Sequence, residues 1–497
     1  MKHVIGVDLG TSSVKVLLVN QVGTVVAEAT EDYPLIHEKP GYSEQDPEQW
    51  VLKTITALKQ LTENSGIAAD DIEGISFSGQ MHGLVLLDAD HQVIRNAILW
   101  NDTRTTAQCR FITERLGDHL LSVTRNPALE GFTLPKLLWV KEFENESYEK
   151  ASVFLLPKDY LRYRLTGELH MDYSDAAGTL LLDVANKQWS ELVCELVGIR
   201  SALCPPLAES HALVGTLREE IAAQTGLSNR TKVFAGGADN ACGAIGSGIL
   251  SEGEAMSSIG TSGVILSYEN GFEADYKGKV HFFNHGKENA FYSMGVTLAA
   301  GYSLSWFKQT FAAGDSFDAM VASAADVKPG AGGLLFTPYL VGERTPHADA
   351  QIRASFIGMD GSHEKKHFVR AVLEGITFSL RESIAIFREA GKQVDSVISI
   401  GGGAKSELWL QLQADIFNAE VTRLDNEQGP GMGAAMLAAY GCGWFDSLEA
   451  CSAVFIKRAG SYKPNPERAA IYDEIFAIYQ QVYAQTASLN QQLMPFR

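Results

Sequence analysis

The sequence has few cysteines and no long apolar run. Its six cysteines are scattered over 497 residues, and no two of them form a CxxC pair or share the spacing of metal ligands. This pattern predicts free thiols rather than a disulfide framework or a cysteine-bound metal. No stretch reaches about 18 apolar residues, and the opening MKHVIGVDLG lacks the apolar core of a signal peptide. We expect a soluble, cytoplasmic protein that does not insert into a membrane.

Basic residues are also in short supply. The chain has 41 Lys and Arg against 60 Asp and Glu, which gives a formal net charge of −19. Surfaces that bind nucleic acid or anionic lipid need clustered Lys and Arg, so neither kind of partner is expected. Low-complexity tracts are absent, and 45% apolar with 20% charged residues is the composition of a folded protein. A chain of this length is expected to contain at least two domains.

One short motif occurs twice, about half a chain apart. The stretch IGVDLGTSSVKVLLV, residues 5–19, aligns without a gap to SIGTSGVILSY, residues 258–268. The aligned pairs are Leu9/Ile259, Gly10/Gly260, Thr11/Thr261, Ser12/Ser262 and Val14/Val264. The repeat predicts two similar halves, and the Gly-rich segment 246–255 has the composition of a linker. We therefore predict two domains, 1–247 and 248–497.

The hydrophobic patterns of both halves indicate mixed α/β structure. In the first half, VIGVDLG, SVKVLLVN and TVVAEAT form a predicted antiparallel meander, and a helix follows that is capped by Asp46. In the second half, strands are expected around SIGTSGVILS and GLLFTPYL, and a long helix is expected within EKKHFVRAVLEGITFSLRESIAIFREAG. The strand SVISIGGG and the helix SELWLQLQADIF complete the repeated order. A cleft between the two copies is the expected binding site.

The turns of the two repeats suit phosphate groups. Consecutive backbone N–H groups without bulky side chains form an anion-binding nest, and hydroxyls such as those of Thr11, Ser12 and Ser13 add donors. Each turn taken alone is equally typical of an ordinary hairpin. The two copies differ at Asp8, whose place is taken by Ser258 in the second copy. An acid beside a phosphate nest needs a cation between them, so Asp8 is a candidate partner of Mg²⁺.

A second candidate acid is Asp239, in the stretch AGGADNACGAIGSG. It follows a Gly-Gly-Ala turn and precedes a predicted helix of small residues, beside the predicted linker. The local sequence by itself is more typical of a helix cap than of a catalytic group. Both roles stay open at this point, and they are compatible with each other.

Ten motifs and one longer pattern occur in this chain in a fixed order. They are VDLGTSSVK, SGQMHG (78–83), AILWNDTR (97–104), GFTLPKLLWV (131–140), LPKDYLRYRLTGE (156–168), SDAAGT (174–179), GGADNACGAIG (236–246), SIGTSG, PYLVGERTPH (338–347), IGGGAKSE (400–407) and the longer ASFIGMDGSHEKKHFVRAVLE (354–374). In this order the chain resembles the FGGY family of carbohydrate kinases over nearly its whole length. The resemblance implies two ribonuclease-H-like domains of the actin-like ATPase fold, separated by an inter-domain cleft.

The resemblance also implies a reaction and its cofactors. The family transfers the γ-phosphoryl group of ATP to a sugar hydroxyl, with Mg²⁺ as the expected metal. Such a transfer needs aligned oxygens, charge neutralisation and a base near the attacking hydroxyl. Asp239 falls on the catalytic base of the family, and Asp8 would assist catalysis through Mg²⁺. A homodimer is common in the family, so the resemblance admits one.

Substrate contacts are expected in the first half. Met81 and His82 match a Met-His pair that contacts the sugar in family members acting on ketopentoses, whereas glycerol kinases carry Arg-Glu. The resemblance therefore implies phosphorylation of a ketopentose, D-xylulose, to its 5-phosphate. Further candidates near the sugar are Trp100, Asn101, Asp102 and Asn240. A pocket of donors matched to hydroxyls discriminates strongly between sugars.

Nucleotide contacts are expected mainly in the second half. Gly260 and Thr261 would hold phosphate, together with the Thr11, Ser12 and Ser13 turn of the first half. Close approach of the nucleotide to the backbone is expected at Gly301, Gly402 and Gly403, and Ser406 is a candidate helix cap. IGGGAKS is not GxGxxG, which disfavours a Rossmann dinucleotide site. No role is predicted for the GERTPH stretch, residues 342–347.

Two alternative functions keep the same fold. A related sugar kinase, such as a gluconokinase or ribulokinase, would differ only in the pocket, and the Met-His pair and the chain length argue against it. An actin-like or heat-shock-chaperone ATPase would share the duplicated phosphate turns. Such a chaperone needs a peptide-binding domain after the core, whereas this chain closes with one polar helix, ERAAIYDEIFAIYQQVYAQTASLNQQL.

Overall fold

Two mixed β-sheets, one in each half of the chain, form the framework. The computed structural model describes residues 1–497. The strands of the first half are β1 (His3–Leu9), β2 (Ser13–Asn20), β3 (Val25–Asp32), β4 (Glu44–Gln45), β5 (Ile72–Gly79), β6 (Val85–Leu87), β7 (Ala97–Ile98), β8 (Val153–Leu155), β9 (Met171–Asp172), β10 (Leu182–Asp183), β11 (Gln188–Trp189), β12 (Leu207–Ala208), β13 (Leu213–Thr216), β14 (Lys232–Phe234) and β15 (Gly237–Ala238). Its helices are α1 (Pro47–Ser65), α2 (Thr106–Leu116), α3 (Asp118–Thr124), α4 (Thr133–Phe143), α5 (Asn145–Lys150), α6 (Pro157–Thr166), α7 (Tyr173–Ala177), α8 (Glu191–Val197), α9 (Glu219–Thr225) and α10 (Asp239–Gly246).

The second half contains the remaining elements. Its strands are β16 (Gly253–Ile259), β17 (Gly263–Glu269), β18 (His281–Asn284), β19 (Phe291–Thr297), β20 (Leu335–Thr337), β21 (Ser355–Ile357), β22 (Val394–Gly401), β23 (Glu420–Leu424) and β24 (Arg458–Tyr462). Its helices are α11 (Gly301–Phe311), α12 (Phe317–Ala322), α13 (Lys365–Glu389), α14 (Glu407–Phe417), α15 (Gly429–Gly441), α16 (Leu448–Phe455) and α17 (Pro466–Leu493). None of the helices is both long enough and apolar enough to cross a membrane.

The two sheets repeat one topology, as the duplicated motif predicts. The first has the order β13-β14-β5-β1-β2-β3, with β15 also paired to β5, and the second has the order β18-β19-β17-β16-β22-β23-β24. In the first sheet, β1, β2 and β3 are antiparallel neighbours, and β5 and β14 continue the sheet in parallel with β1. In the second, β16, β17 and β19 play the antiparallel part and β22 and β23 the parallel part. This duplicated α/β core is the expected actin-like ATPase architecture.

The gapless alignment of the two hairpins is wrong after the turn. Leu9 pairs with Val14 across the first hairpin, whereas Ile259 pairs with Gly263 across the second. The turn bond from the glycine amide at position 10 ends on the carbonyl of Ser13, but the equivalent bond from position 260 ends on residue 262, both at 3.0 Å. The second turn is one residue shorter, so Val14 corresponds to Gly263 rather than to Val264. The burial pattern agrees with this shift, since Val14 and Gly263 are both buried whereas Val264 is only partly buried.

Most of the predicted helices and strands form, with one clear exception. Asp46 caps α1 by accepting a bond of 3.0 Å from the amide of Glu48, because its short side chain reaches the free N–H groups of the first turn. The long helix α13 and the strand β22 are confirmed. The GLLFTPYL segment contributes only β20, which pairs with β21 outside the main sheets. All six cysteines are free thiols, as predicted.

Helix α15 connects the two halves at the centre of the molecule. It follows β23 in sequence but packs on the sheet of the first half and across α10. Glycines permit this approach: a Cβ on Gly6 of β1 would lie 2.0 Å from the carbonyl oxygen of Gly431. A Cβ on Gly433 would lie 1.9 Å from the carbonyl oxygen of Cys242 in α10. Both contacts are too short for any other residue, so α10 and β1 are held firmly where they carry Asp239 and Asp8.

Candidate functional site

The two candidate acids meet at one edge of the first sheet. Asp8 lies near the end of β1, where it pairs with Ser78 of β5. On the other side of β5, Ser78 pairs with Gly237 of β15, and Asp239 follows β15 directly as the first residue of α10. Because β1, β5 and β15 run parallel, their carboxyl ends meet at the same edge. This is the edge at which ligands bind in open α/β sheets.

Burial raises the pKa of both carboxyl groups, and the charge of Asp8 adds to this effect at Asp239. Burial raises the pKa of Asp8 to about 6. Burial, together with the negative charge of Asp8, raises the pKa of Asp239 to about 7. Two carboxylates that repel each other in this way would be relieved by a cation between them, and their oxygens are the ligands that Mg²⁺ prefers. A carboxyl group with a pKa near 7 is also suited to taking up a proton at neutral pH.

Asp239 begins its helix without capping it. The residue at the cap position is Ala238, which has no side-chain bond to offer. The Oδ1 atom of Asp239 accepts bonds of 2.7 Å from the amide and 3.0 Å from the side chain of the next residue, Asn240. The expected N-cap geometry is therefore absent, because a cap bonds the second or third amide of the helix. All internal hydrogen bonds of this carboxylate go to Oδ1, and Oδ2 stays available.

The predicted Met-His pair belongs to a cluster of side chains beside Asp239. His82 has a positive φ of 69°, and its Nδ1 lies 2.7 Å from the carbonyl oxygen of Gly178. Burial, with smaller contributions from Lys136 and Arg344, lowers the pKa of His82 to about 3, so the ring is neutral. Since Nδ1 must donate to a carbonyl, Nε2 carries the lone pair and can accept a bond from a hydroxyl.

Asn240 completes this cluster, and the second half contributes to it. Its side-chain nitrogen lies 3.5 Å from the sulfur of Met81, and the hydroxyl of Tyr292 lies 4.0 Å from the same sulfur. The His82 ring packs against Phe132, with ring centroids 4.7 Å apart. Tyr292 and Phe132 were not predicted from the sequence. Tyr292 lies in a strand and Phe132 directly precedes a helix, and both are buried. Their local sequence does not distinguish an aromatic residue beside a binding site from one in the hydrophobic core.

The Trp-Asn-Asp segment lies at the rim and is only partly suited to binding. Trp100 is 44% exposed and donates a bond of 2.9 Å from its indole to the hydroxyl of Thr11. Asn101 is exposed on the same loop. Asp102 is buried, and both of its oxygens are used by Arg104 and by the amide of Ser43, at 2.6 to 3.0 Å. The expected sugar contact of Asp102 is therefore not supported, since its carboxylate fixes the loop instead.

A cavity of about 880 Å³ lies in the second half, at the turn between β16 and β17. Five of the predicted nucleotide-binding residues line it: Gly260, Thr261, Gly301, Gly402 and Ser406. Its wall also includes Lys405, which the sequence did not single out, and the apolar side chains of Leu304, Val321, Leu408 and Trp409. Cofactor sites typically have volumes of about 300–1,000 Å³ with mostly apolar walls and a few polar groups. The volume and lining of this cavity are therefore typical of a cofactor site, and the Gly-Thr turn forms part of its wall.

The glycines around this cavity have different roles. The amide of Gly301 donates to the carbonyl of Gly260 at 2.9 Å, and a Cβ on Gly301 would lie 2.3 Å from that oxygen. Gly301 therefore lets α11 touch the phosphate turn. Gly403 does not line the cavity but is buried against Ile259, where a Cβ would lie 2.5 Å from the Cδ1 atom. Its predicted nucleotide contact is replaced by a packing contact. Ser406 caps α14 as predicted, accepting from the amide of Trp409 at 3.4 Å.

The matching turn of the first half lies outside this cavity. There the carbonyl of Ser13 accepts bonds from the amide of Gly10 and the hydroxyl of Tyr33, at 3.0 and 2.9 Å. Ser12 is exposed and Thr11 is half-buried. The hydroxyl of Ser12 is thus open to a ligand, whereas that of Thr11 accepts the indole bond of Trp100, and a phosphate contact at this turn stays a prediction.

The GERTPH stretch is a rigid loop attached to the end of β19. The buried carboxylate of Glu343 accepts bonds from the hydroxyl of Thr297 at 2.6 Å, from the amide of Leu298 at 3.0 Å and from the amide of Arg344 at 2.8 Å. The positive charge of Arg344 contributes, after burial, to the lowered pKa of both His82 and His281. This charge of the second half therefore lies near the pocket that contains His82.

Two family models match the chain in sequence. The N-terminal domain of the FGGY family of carbohydrate kinases matches residues 3–246, and its C-terminal domain matches residues 255–442. A xylulose kinase of Bacillus subtilis (strain 168) is 63% identical over 497 residues, which is the whole length of both chains.

Solved structures show the same likeness. A ligand-bound xylulose kinase from Lactobacillus acidophilus superimposes with a TM-score of 0.94 at 28% identity, over 99% of this chain and 100% of that one. A gluconate kinase from the same organism gives the same TM-score and identity, over 99% of both chains. The overall structure is thus equally close to kinases of two different sugars, so the fold alone does not decide between them.

Proposed function

Because the chain belongs to the FGGY family of carbohydrate kinases, we propose that it phosphorylates D-xylulose to D-xylulose 5-phosphate with ATP. It is a phosphotransferase with an alcohol group as acceptor, and kinases of this family use ATP. The observation that carries the choice of sugar is the 63% identity over full length to a xylulose kinase. The Met81-His82 pair beside Asp239 and Asn240 agrees with it.

Asp239 is proposed as the general base. As the terminal hydroxyl of the sugar attacks the γ-phosphorus, its proton passes to a carboxylate oxygen of Asp239. The new bond joins this sugar oxygen to phosphorus, and the bond between phosphorus and the bridging oxygen of ADP breaks. Phosphoryl transfer asks for positioning and charge stabilisation more than for covalent help. The firm attachment of α10 to the core supplies that positioning.

Asp8 is proposed to hold Mg²⁺. Asp8 and Asp239 lie at the same edge of the sheet, and the charge of Asp8 adds to the burial that raises the pKa of Asp239, which supports a site for a cation. Mg²⁺, when bound, would neutralise charge on the phosphate oxygens. Asp8 would thereby be held ionised at neutral pH, and its negative charge would be screened from Asp239.

The sugar is proposed to bind mainly to residues 1–247 and the nucleotide mainly to residues 248–497. The cavity beside Gly260 supports the second assignment. Tyr292 and Arg344 extend from the second half towards the sugar pocket, so closure of the cleft would complete that pocket and exclude water. A homodimer and a cytoplasmic location stay predictions.

The test is an assay of ADP formation over a panel of acceptors. D-xylulose, D-ribulose, D-gluconate and glycerol are compared at equal concentration, each with and without Mg²⁺. We expect the highest kcat/KM with D-xylulose and little ADP without a sugar or without Mg²⁺. A higher kcat/KM with D-gluconate would reassign the sugar, and ADP formation at one rate with every acceptor and with none would favour a plain ATPase.

A further inference from the structure

Five charged side chains are buried together behind Asp239, between α6 and α7. They are Lys158, Asp159, Arg162, Asp172 and Asp175, all with 0% exposure. The ammonium of Lys158 lies 2.6 Å from an oxygen of Asp159, 2.9 Å from one of Asp172 and 3.2 Å from one of Asp175. Burying charge in this way is costly even when it is paired. A cluster of this kind therefore needs a reason beyond packing.

The cluster is balanced when one of its acids is neutral. Burial raises the pKa of Asp175 well above its ordinary value, which is the direction that favours the neutral form of this acid. Two cations then face two carboxylates. Lys158 holds one oxygen of Asp172, which leaves the other oxygen, Oδ2, to accept hydrogen bonds.

The Oδ2 atom of Asp172 connects the cluster to the segment that carries Asp239. It accepts bonds from the hydroxyl of Ser174 at 2.5 Å and from the hydroxyl of Ser210 at 2.9 Å. The oxygen of Ser174 in turn accepts a bond of 2.9 Å from the amide of Ala238. A hydroxyl whose proton is held by a carboxylate has its lone pairs directed elsewhere, and bonds to charged groups are roughly twice as strong as neutral ones.

We infer that Ser174 is a positioning residue that fixes the Ala238 peptide, and through it the carboxylate of Asp239. The pairing of β15 with β5 holds this peptide on one side. On the other side, the hydroxyl of Ser174 accepts its N–H. Ser174 packs closely against this part of the backbone, since a Cβ on Gly237 would lie 3.3 Å from the hydroxyl oxygen of Ser174. Catalytic groups need placement to within about 0.5 Å, so a loosened peptide lowers the rate without removing any reacting atom. The inference rests on the proposed role of Asp239 as base.

Ser174→Ala and Ser210→Ala form a matched pair for the test. Each removes a buried hydroxyl from the same oxygen of Asp172, but only Ser174 touches the amide of Ala238. We expect a decrease in Tm for both variants, larger for Ser174→Ala because the buried amide of Ala238 also loses its acceptor. Ser174→Ala should lower kcat about 10-fold with the KM for ATP unchanged, since misplacement by 1 Å costs about 100-fold. The kcat of Ser210→Ala should stay within about two-fold of the value for the unsubstituted enzyme, a much smaller change than that expected of Ser174→Ala.

Hydrogen exchange gives a second readout that a general loss of stability would not reproduce. When both variants are compared at the same interval below their own Tm, the amide of Ala238 should exchange faster in Ser174→Ala than in Ser210→Ala. Only Ser174→Ala removes the hydroxyl that accepts from this amide. If Ser174→Ala does not fold, Ser174→Cys replaces it, since a thiol has similar volume but forms weaker hydrogen bonds. The same decrease in kcat and the same faster exchange are expected of it.

Asp239→Asn separates failure of this inference from failure of the proposed function. An Asp239→Asn enzyme with normal kcat would show that Asp239 is not the base. An inactive Asp239→Asn enzyme, together with equal kcat and equal exchange in the two serine variants, would overturn the positioning role of Ser174 alone. If Asp239→Asn is inactive, Ser174→Ala has a lowered kcat and Ser210→Ala has a normal kcat, the result supports both the role of Asp239 as base and the positioning role of Ser174.

Discussion

Asp239→Asn should both stop catalysis and stabilise the fold at alkaline pH. The substitution keeps the oxygen that bonds Asn240 and removes the charge and the proton acceptor. In the folded protein, burial and the charge of Asp8 raise the pKa of this carboxyl group from 3.8 to about 7. Folding therefore disfavours the ionised form, and the resulting instability is fully present above pH 7 and disappears below about pH 4.

The size of this effect follows from the same shift. Since one pKa unit corresponds to 1.36 kcal/mol, the change gives an upper limit of roughly 4 kcal/mol at pH 8. The side chain is half-buried, so screening by water reduces the expected gain in free energy of unfolding to about 1–2 kcal/mol. Loss of the base should lower kcat by ~10²–10⁴.

The assay combines kcat at pH 8 with denaturant unfolding of the ligand-free enzyme at pH 8 and pH 5. The expected result is a variant that is nearly inactive, more stable than the unsubstituted enzyme at pH 8, and only slightly more stable at pH 5. In the unsubstituted enzyme, kcat should fall as the base becomes protonated, at a pH below the ligand-free value of about 7, because bound Mg²⁺ screens the charge of Asp8. A variant that unfolds more easily at pH 8 yet keeps its kcat would refute the reasoning and leave Asp239 a structural role.

Three further substitutions test the other parts of the site. Asp8→Asn should lower kcat at least 10-fold and increase the Mg²⁺ concentration needed for half-maximal rate, as a Mg²⁺ titration would show; an unchanged titration would remove Asp8 from the metal site. Gly301→Ala places a Cβ 2.3 Å from the carbonyl oxygen of Gly260 and should therefore increase the KM for ATP. Sugar binding, measured by calorimetry, should be unchanged, and an unchanged KM for ATP would argue against the assigned cavity. Arg344→Ala should increase the KM for sugar several-fold and leave the KM for ATP unaltered, because its charge lies near His82, and an unaltered sugar KM would place it outside the pocket. Arg353→Ala is the matched control for Arg344→Ala, because this partly buried arginine bonds only nearby carbonyls.

The parts of this structure that could be read from the sequence are those encoded locally. The duplicated hairpins, the cap at Asp46 and the Gly-Thr turn at the cavity each depend on a few neighbouring residues. The resemblance to the family added the Met-His pair and Asp239, which the structure places side by side. Local spacing could not reveal that the second turn is one residue shorter, because the two turns have nearly the same letters.

Contacts between distant residues explain most of what the sequence did not reveal. Helix α15 packs on a strand more than 400 residues earlier, and only small side chains at both surfaces hint at it. Tyr292 reaches Met81, a proposed sugar contact, from the other half of the chain. Asp102 was named as a neighbour of the sugar because it lies in the LWND stretch, but its partner Arg104 bonds both of its oxygens. Gly403 similarly packs on Ile259 instead of facing a ligand.

The balance of products tests the central claim most directly. The purified chain is incubated with ATP, Mg²⁺ and D-xylulose, and ADP, inorganic phosphate and the sugar phosphate are followed together by phosphorus NMR. The account predicts that D-xylulose 5-phosphate and ADP appear in equal amounts, and that almost no inorganic phosphate forms, because closure of the cleft excludes water. ADP accompanied by an equal amount of inorganic phosphate, with no phosphorylated sugar, would contradict it.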